Sequence, residues 1–216
     1  MAPDSSQNTD RKVFVTVGTT NFDPLIKAVL RPSVVSLLQS QGYTTLRVQY
    51  GQAAELYQAC YTADLESTLA KSSMLIGGYA YASGDEITQE IKTAELVICH
   101  AGSGTILECL RYQKRIVTIP NESLMDNHQV ELANEMARQK YVIKGDLSDL
   151  IPAITQSLTF KYKHFPRQGS KIFSEVMEEE LDQADKDKIV PAYHSRRRKD
   201  YDEWIENKNW CGCRIV

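Results

Sequence analysis

Residues 96–108 read LVICHAGSGTILE, and this stretch decides the fold expected for the chain. It begins with an apolar run, residues 96–99, of the kind that forms a buried parallel strand. Small residues follow His100, and apolar residues return at helical spacing from Ile106. The stretch therefore predicts a strand, a glycine turn and a helix. The N–H groups and the positive dipole end of that helix would face the space beyond the strand.

Such a turn suits an anion, and a diphosphate best of all. His100 can add a donor at the tip of the strand, and Glu108 can reach a pair of ribose hydroxyls. Each residue also has an interpretation that needs no ligand. Gly102 and Gly104 can serve only a tight turn. Thr105 and Glu108 match a capping box, and His100 can be a satisfied core histidine. The combination with two further loops favours the phosphate site.

The first of these loops follows a buried strand predicted at residues 13–17. Gly18 and Thr19 make another strand-to-helix turn there, at the same edge of the sheet. A helix cap made by Thr20 or Asp23 explains this loop equally well.

The second loop, residues 120–129, follows the strand predicted at 115–119. Asp126, His128 and Gln129 lie where this loop enters a helix, a position from which polar side chains can grip sugar hydroxyls beside a diphosphate. Capping by Asp126 or Asn127 is compatible with such contacts.

Strands alternate with helices along the chain. The strands are predicted at 13–17, 44–50, 74–79, 96–99, 115–119 and 141–143. The helices are predicted at 24–40, 53–61, 85–94, 127–136, 147–158 and after Gly104, with Pro32 kinking or dividing the first. This pattern predicts an α/β fold, a Rossmann-like parallel sheet with helices on both faces and a ligand-binding rim. We expect a disordered N-terminus at 1–11, this domain at 12–160, and a charged helical or irregular extension at 161–216.

Length and charge exclude several classes of protein. The chain has 216 residues, which suits one α/β domain with an appendage but not two nucleotide-binding halves. A formal net charge of −3 argues against nucleic acid as a partner. The sequence has neither a signal-peptide core nor a membrane-spanning run, so we expect a cytoplasmic protein with reduced cysteines.

The composition beyond residue 160 is charged and aromatic, with a helix predicted at 170–188. Two D-x-D stretches, at 185–187 and 200–202, lie away from any predicted strand end and are interpreted as chance matches. Cys211 and Cys213 lack a second pair of metal ligands. The last four residues, from Cys213, have the length of a prenylation box, but Arg214 and Val216 fit it poorly, so a free tail is preferred.

Other phosphate-binding and hydrolase motifs are absent from the sequence. The P-loop pattern G-x-x-x-x-G-K-[ST] does not occur. The dinucleotide fingerprint G-x-G-x-x-G fails because Leu107 takes the place of its third glycine. The G-x-S-x-G pattern of serine hydrolases is missing as well.

Three stretches together resemble glycosyltransferase family 28: residues 15–20 (VTVGTT), 97–108 and 126–133 (DNHQVELA). The resemblance covers about residues 12 to 158. It implies the donor-binding C-terminal half of a GT-B glycosyltransferase, which binds UDP-N-acetylglucosamine (UDP-GlcNAc). It also implies inversion of configuration without a metal or other cofactor. The general base is expected in the other half of the fold, so no catalytic residue is assigned to this chain.

The resemblance assigns donor-binding roles to particular positions. Backbone N–H groups of Gly102, Ser103 and Gly104 would hold the diphosphate, with His100 beside them. Glu108 would hold the ribose, and Asp126, His128 and Gln129 would face the sugar. Gly18 and Thr19 would close the crevice from the first strand.

The acceptor that the resemblance implies is a lipid-linked sugar, GlcNAc-diphosphate-dolichol, used to assemble N-glycans. Such a reaction needs a membrane-anchored, acceptor-binding partner subunit, which would recruit the chain to the cytosolic face of the endoplasmic reticulum. Aromatic residues are the candidate contacts: Tyr162, Phe165, Phe173, Trp204 and Trp210. Packing on the chain's own domain is an equal alternative for Phe165 and Phe173. Two other functions stay open: a related transferase for another polyprenyl-linked saccharide, and a non-catalytic UDP-sugar-binding regulator.

Overall fold

The computed structural model of the chain describes residues 10–60, 63–70, 74–122 and 128–165. The strands are β1 Lys12–Thr16, β2 Thr45–Gln49, β3 Leu75–Tyr79, β4 Leu96–His100, β5 Arg115–Ile119 and β6 Ile143–Lys144. The helices are α1 Asp23–Val29, α2 Pro32–Ser40, α3 Ala54–Ala59, α4 Ala63–Ala70, α5 Gly84–Thr93, α6 Ser103–Arg111, α7 His128–Arg138 and α8 Ile151–Thr159.

All six strands are parallel and lie in the order β3-β2-β1-β4-β5-β6. Val15 of β1 is therefore flanked by Val48 of β2 on one side and Ile98 of β4 on the other. Short runs of β-branched residues, buried on both faces, favour such a parallel sheet. The predicted α/β fold with a Rossmann-like parallel sheet is confirmed.

Helices cover both faces of this sheet. Alternate residues of the central strands, such as Val13 and Val15, join one buried cluster with residues of α1, α2, α3 and α8. Because successive strand residues point to opposite faces, Phe14 and Val97 belong to the other face, where α5 and α6 contact the sheet. Buried Ile91 of α5 and Ile106 of α6 complete that second layer.

Most predicted elements are present, with three differences. The first predicted helix is divided, since α1 ends at Val29 and α2 begins at Pro32. Proline suits the first position of a helix, because the N–H group that it lacks would have no intrahelical partner there. Helix α4 was not predicted, because only Leu65 and Leu69 mark an apolar face in it. The last strand is shorter and later than predicted: Lys140 adopts a positive φ of 66°, and the ladder starts at Ile143.

The described chain stays packed on this domain as far as Phe165. The Phe165 side chain is 4% exposed and meets the Tyr141 ring edge-on, at 5.4 Å between centroids. The Gln113 side chain donates a hydrogen bond to the Phe165 carbonyl at 3.0 Å, and Tyr162 Oη donates one to the Ile116 carbonyl at 3.4 Å. Phe165 therefore packs on its own domain and is not exposed for contact with a partner.

The chain divides into two units, Met1–Phe173 and Ser174–Val216, and the second lies outside the described residues. The helix predicted at 170–188, both D-x-D stretches and the C-terminal cysteines fall outside them as well. Within the described ranges, none of the helices is long and apolar enough to span a bilayer.

Replacing Phe165 with Ala should lower the free energy of unfolding by about 3 kcal/mol, because it removes a buried aromatic ring. The change is measured by urea unfolding of the full chain. His164→Ala is the matched control, since His164 is exposed, and it should leave stability within about 0.5 kcal/mol of the original. Equal unfolding curves for the two variants would contradict the packing of Phe165 on the domain.

Candidate functional site

The sheet order places two glycine turns side by side. Strands β2 and β3 are added to the sheet on one side of β1, and strands β4, β5 and β6 are added on the other side. The order reverses between β1 and β4, which are paired neighbours. In open parallel sheets the loops at such a point diverge and leave a crevice where ligands bind. The turns at Gly18 and Gly102 follow these two strands.

The His100 ring lies between these two glycines. A Cβ atom built on Gly18 would lie 2.3 Å from His100 Cε1, and one built on Gly102 would lie 2.2 Å from His100 Nε2. Gly18 also has a φ of 62°, which other residues rarely adopt. Both glycines are therefore required by the imidazole itself, whether or not a ligand is present.

His100 is buried and electrically neutral near pH 7. The side chain is 6% exposed, and this burial lowers the pKa of His100 to about 4, although an interaction with the Thr16 backbone opposes the shift. Its Nδ1 atom is buried and has no hydrogen-bond partner among the described residues. The sequence left open a satisfied core histidine, whereas in the structure one ring nitrogen is unsatisfied.

Helix α6 begins directly beside this ring. Gly102 is its N-cap and provides no side-chain cap, and the first intrahelical bond runs from the Ile106 N–H to the Gly102 carbonyl at 3.0 Å. The N–H groups of residues 102–105 come before that bond, so the helix itself gives them no acceptor. They form a donor set at the positive end of the helix dipole.

The capping box considered for Thr105 and Glu108 is wrong. Thr105 lies inside the first turn of α6 and not at the N-cap. Glu108 instead accepts a hydrogen bond from the Thr88 hydroxyl of α5. One Glu108 oxygen therefore links two helices on the same face of the sheet.

Gly104 differs from the other glycines of the site. A Cβ atom built there would meet nothing within 4 Å among the described residues, and its φ is not positive. Neither packing nor backbone conformation within the described chain requires glycine at this position. Open space above an exposed helix N-terminus is what a closely approaching ligand would need.

The loops around the crevice are tied together by amide side chains. Gln129 Oε1 accepts a hydrogen bond from the Asn121 N–H at 3.0 Å, and Asn121 Nδ2 donates to the Asn21 carbonyl at 3.2 Å. Asn21 Nδ2 in turn donates to Gln52 Oε1 at 3.1 Å. This chain of contacts connects the loops after β1, β2 and β5 with the first turn of α7.

The third predicted loop is described only in part. Asp126 lies outside the described residues, and His128 begins α7 with its side chain outside them. Gln129 uses its carbonyl oxygen to hold Asn121, which leaves its amide nitrogen for other contacts. The contacts of Asp126, His128 and Gln129 with a sugar therefore stay predictions.

Two buried polar residues of the site were not predicted from the sequence. Gln49, at the end of β2, donates from Nε2 to the Gly18 carbonyl at 3.0 Å and accepts a hydrogen bond from the Thr16 hydroxyl. Asn121, which follows β5, is 3% exposed. The only sequence signal was a polar residue next to the end of a buried strand. Among the described residues, no three His, Cys, Asp or Glu side chains are grouped to hold a metal ion.

Comparisons with known proteins agree with this geometry. The family model for the glycosyltransferase family 28 C-terminal domain matches residues 12–179. The UDP-N-acetylglucosamine transferase subunit ALG13 of Yarrowia lipolytica is 33% identical over 167 residues, which cover 76% of this chain and 81% of that protein. The protein of the same name from Cryptococcus neoformans is 34% identical over 193 residues, covering 77% and 94%. The human one is 38% identical over 130 residues, which are 60% of this chain but 10% of the human protein.

Solved structures show the same architecture. The NMR solution structure of ALG13 superposes with a TM-score of 0.57 at 25% identity, covering 77% of this chain and 94% of that one. The crystal structure of Acinetobacter baumannii MurG superposes with a TM-score of 0.56 at 16% identity, covering 80% and 51%, a likeness of fold alone. With the family model spanning the whole Rossmann-like domain and both glycine turns, the chain belongs to the family of glycosyltransferase family 28 C-terminal domains.

Proposed function

We propose that the chain is the donor-binding, catalytic subunit of an inverting N-acetylglucosaminyltransferase. It would move GlcNAc from UDP-GlcNAc to GlcNAc-diphosphate-dolichol, the second step of lipid-linked oligosaccharide assembly. The observation that carries the proposal is the uncapped N-terminus of α6 beside the buried His100 ring, at the point where the sheet order reverses. The names of the relatives, which are UDP-N-acetylglucosamine transferase subunits, supply the donor and the reaction class.

The diphosphate of the donor binds at the first turn of α6. The N–H groups of Gly102, Ser103 and Gly104 supply the donors, and the open space at Gly104 lets phosphate oxygens approach the backbone. Gly18 and Thr19 close the crevice from the β1 side. His100 contributes a neutral ring nitrogen instead of a positive charge, because burial keeps its pKa low.

Breaking the sugar–phosphate bond leaves negative charge on the departing UDP. Fixed N–H dipoles and the helix dipole stabilise that charge without having to reorganise during the reaction. This chemistry requires no metal ion. The base that deprotonates the acceptor hydroxyl belongs to the other half of the GT-B fold, and no residue of this chain is assigned to that role.

Side chains around the diphosphate recognise the rest of the donor. Glu108 accepts hydrogen bonds from the ribose hydroxyls, and its contact with Thr88 keeps one carboxylate oxygen in place. Asp126, His128 and Gln129 face the sugar.

The other half of the enzyme is a membrane-anchored, acceptor-binding partner, of the type of the asparagine-linked glycosylation protein fourteen. The word "subunit" in the names of the relatives supports a complex. This partner recruits the chain to the cytosolic face of the endoplasmic reticulum. Since Phe165 is buried and Tyr162 packs against the core of the same domain, the aromatic contacts are left to Phe173, Trp204 and Trp210.

Calorimetric titration with UDP-GlcNAc in excess EDTA tests the donor site directly. Binding should be unchanged by the chelator, because N–H groups and a helix dipole hold the diphosphate. The same titration with added Mg²⁺ is the control. Loss of binding on chelation would overturn metal-free recognition, and absence of UDP-GlcNAc binding in both buffers would overturn the donor site.

Replacing Glu108 with Ala should weaken UDP-GlcNAc binding by about 1.5–3 kcal/mol, the usual range for a hydrogen bond to a charged group. Thr88→Val is the matched control, because it removes the contact between α5 and α6 but keeps the carboxylate. It should affect binding less. If Glu108 only joins the two helices, both variants will lose similar stability and bind UDP-GlcNAc like the original chain.

Turnover should require the partner. The assay combines the purified chain, UDP-GlcNAc and GlcNAc-diphosphate lipid, with and without the membrane-anchored subunit. Truncation after residue 165 keeps all of the described strands and helices and should abolish complex formation, because it removes the remaining aromatic contacts. Full turnover by the isolated chain would contradict the dependence on a partner. Turnover only with another polyprenyl-linked saccharide, or UDP binding without turnover in any complex, would favour one of the two alternative functions.

A further inference from the structure

Two buried side chains and the partly buried backbone of Gly18 form a closed ring of hydrogen bonds at the end of β1. The Gly18 N–H donates to Thr16 Oγ1 at 3.0 Å, and the Thr16 hydroxyl donates to Gln49 Oε1. Gln49 Nε2 then donates to the Gly18 carbonyl at 3.0 Å. Both backbone polar groups of Gly18 are therefore fixed by the same two side chains.

Chemistry determines how the Gln49 amide is oriented in this ring. A carbonyl oxygen can only accept, so the amide nitrogen must face Gly18, and the amide oxygen is left for the Thr16 hydroxyl. Thr16 and Gln49 are 1% and 5% exposed, and water therefore competes little for these bonds. Buried polar groups that lose their partners are destabilised, which holds the ring together.

The ring also sets the direction of the next peptide group. The Gly18–Thr19 peptide is trans, so its N–H points opposite to its carbonyl. Its carbonyl is directed at Gln49 of β2, and β2 and β4 flank β1 on opposite sides. The Thr19 N–H is therefore directed away from the Gln49 amide, and His100 and Gly102 bound the crevice from the neighbouring strand, β4.

We infer that Gln49 is a positioning residue that aims the Thr19 N–H at the diphosphate of the donor. Its hydrogen bonds within the described chain go to Thr16 and Gly18, and it acts by fixing the Gly18 peptide groups. This role rests on the proposed function, because it needs a diphosphate in the crevice. It adds β2 to the diphosphate-binding part of the site, which otherwise consists of the turns after β1 and β4 and the first turn of α6.

The test compares Gln49→Met with the original chain, using UDP and uridine as probes. Methionine keeps the length of the side chain but makes neither hydrogen bond. UDP affinity measured by calorimetry should fall about tenfold, whereas binding of uridine, which lacks phosphate, should be unchanged by NMR titration. The Thr19 amide resonance should shift on addition of UDP in the original chain and much less in Gln49→Met. If Gln49 had only a structural role, Gln49→Met would bind UDP and uridine more weakly to the same extent. The Thr19 amide resonance would then still shift on addition of UDP.

Variants at Thr16 provide an independent test in which the glutamine is kept. Thr16→Ser retains the hydroxyl and should bind UDP like the original chain, whereas Thr16→Val should resemble Gln49→Met. The double variant, Gln49→Met with Thr16→Val, should bind UDP no more weakly than either single variant, since all three break the same ring. If Gln49→Met does not fold, the Thr16 variants alone decide whether the ring of hydrogen bonds contributes to UDP binding.

Val48→Ala controls for general destabilisation, because Val48 is buried in β2 beside Gln49 but belongs to the cluster on the opposite sheet face. It should lose stability and keep UDP affinity. If the original chain does not bind UDP, the proposed function fails. If the original chain binds UDP and both Gln49→Met and Thr16→Val bind it equally well, only the role of Gln49 fails.

Discussion

The pairing of β1 with β4 is the constraint on which the site depends. Because crossover connections between parallel strands are right-handed, the segments leading from β1 to β3 cover one face, and the chain must change direction to build β4, β5 and β6. The loops that leave β1 and β4 consequently separate over opposite faces. The opening between them needs no special loop sequence. What the sequence adds is glycine at Gly18 and Gly102, so that the His100 ring can lie in the opening.

Charges in the described chain are distributed in a way that suits this opening. Arg11 and Arg115 both pair with Glu95, at 2.7 and 3.0 Å, and hydrogen bonds from Arg11 hold the pKa of Glu95 below its usual value. These residues precede or begin β1, β4 and β5, so they lie at the edge of the sheet opposite to the crevice. The groups that we propose to meet the diphosphate are N–H dipoles and a neutral imidazole. An anion bound there would be stabilised by oriented dipoles instead of by positively charged side chains.

Local patterns predicted most of the fold, and long-range contacts account for what they missed. Apolar runs next to glycine turns were sufficient to find the central strands and α6, because burial and turn formation are properties of neighbouring residues. The partner of Glu108 could not be found in this way: a capping box was compatible with its spacing, but its carboxylate accepts a hydrogen bond from the Thr88 hydroxyl, 20 residues earlier in the chain. Gln49 lies 33 residues from Thr16, and only the strand register brings them together.

The imidazole between two glycines has a consequence for how variation at this site is interpreted. Gly18, His100 and Gly102 occupy one shared volume, so a side chain introduced at either glycine collides with the ring before any ligand is involved. A survey of substitutions would therefore find both glycine positions intolerant even in an assay that reports folding alone. Gly104 has no such neighbour within the described chain. Intolerance at Gly104, in a protein that still folds, is the pattern that would distinguish recognition of a bound molecule from packing of the chain against itself.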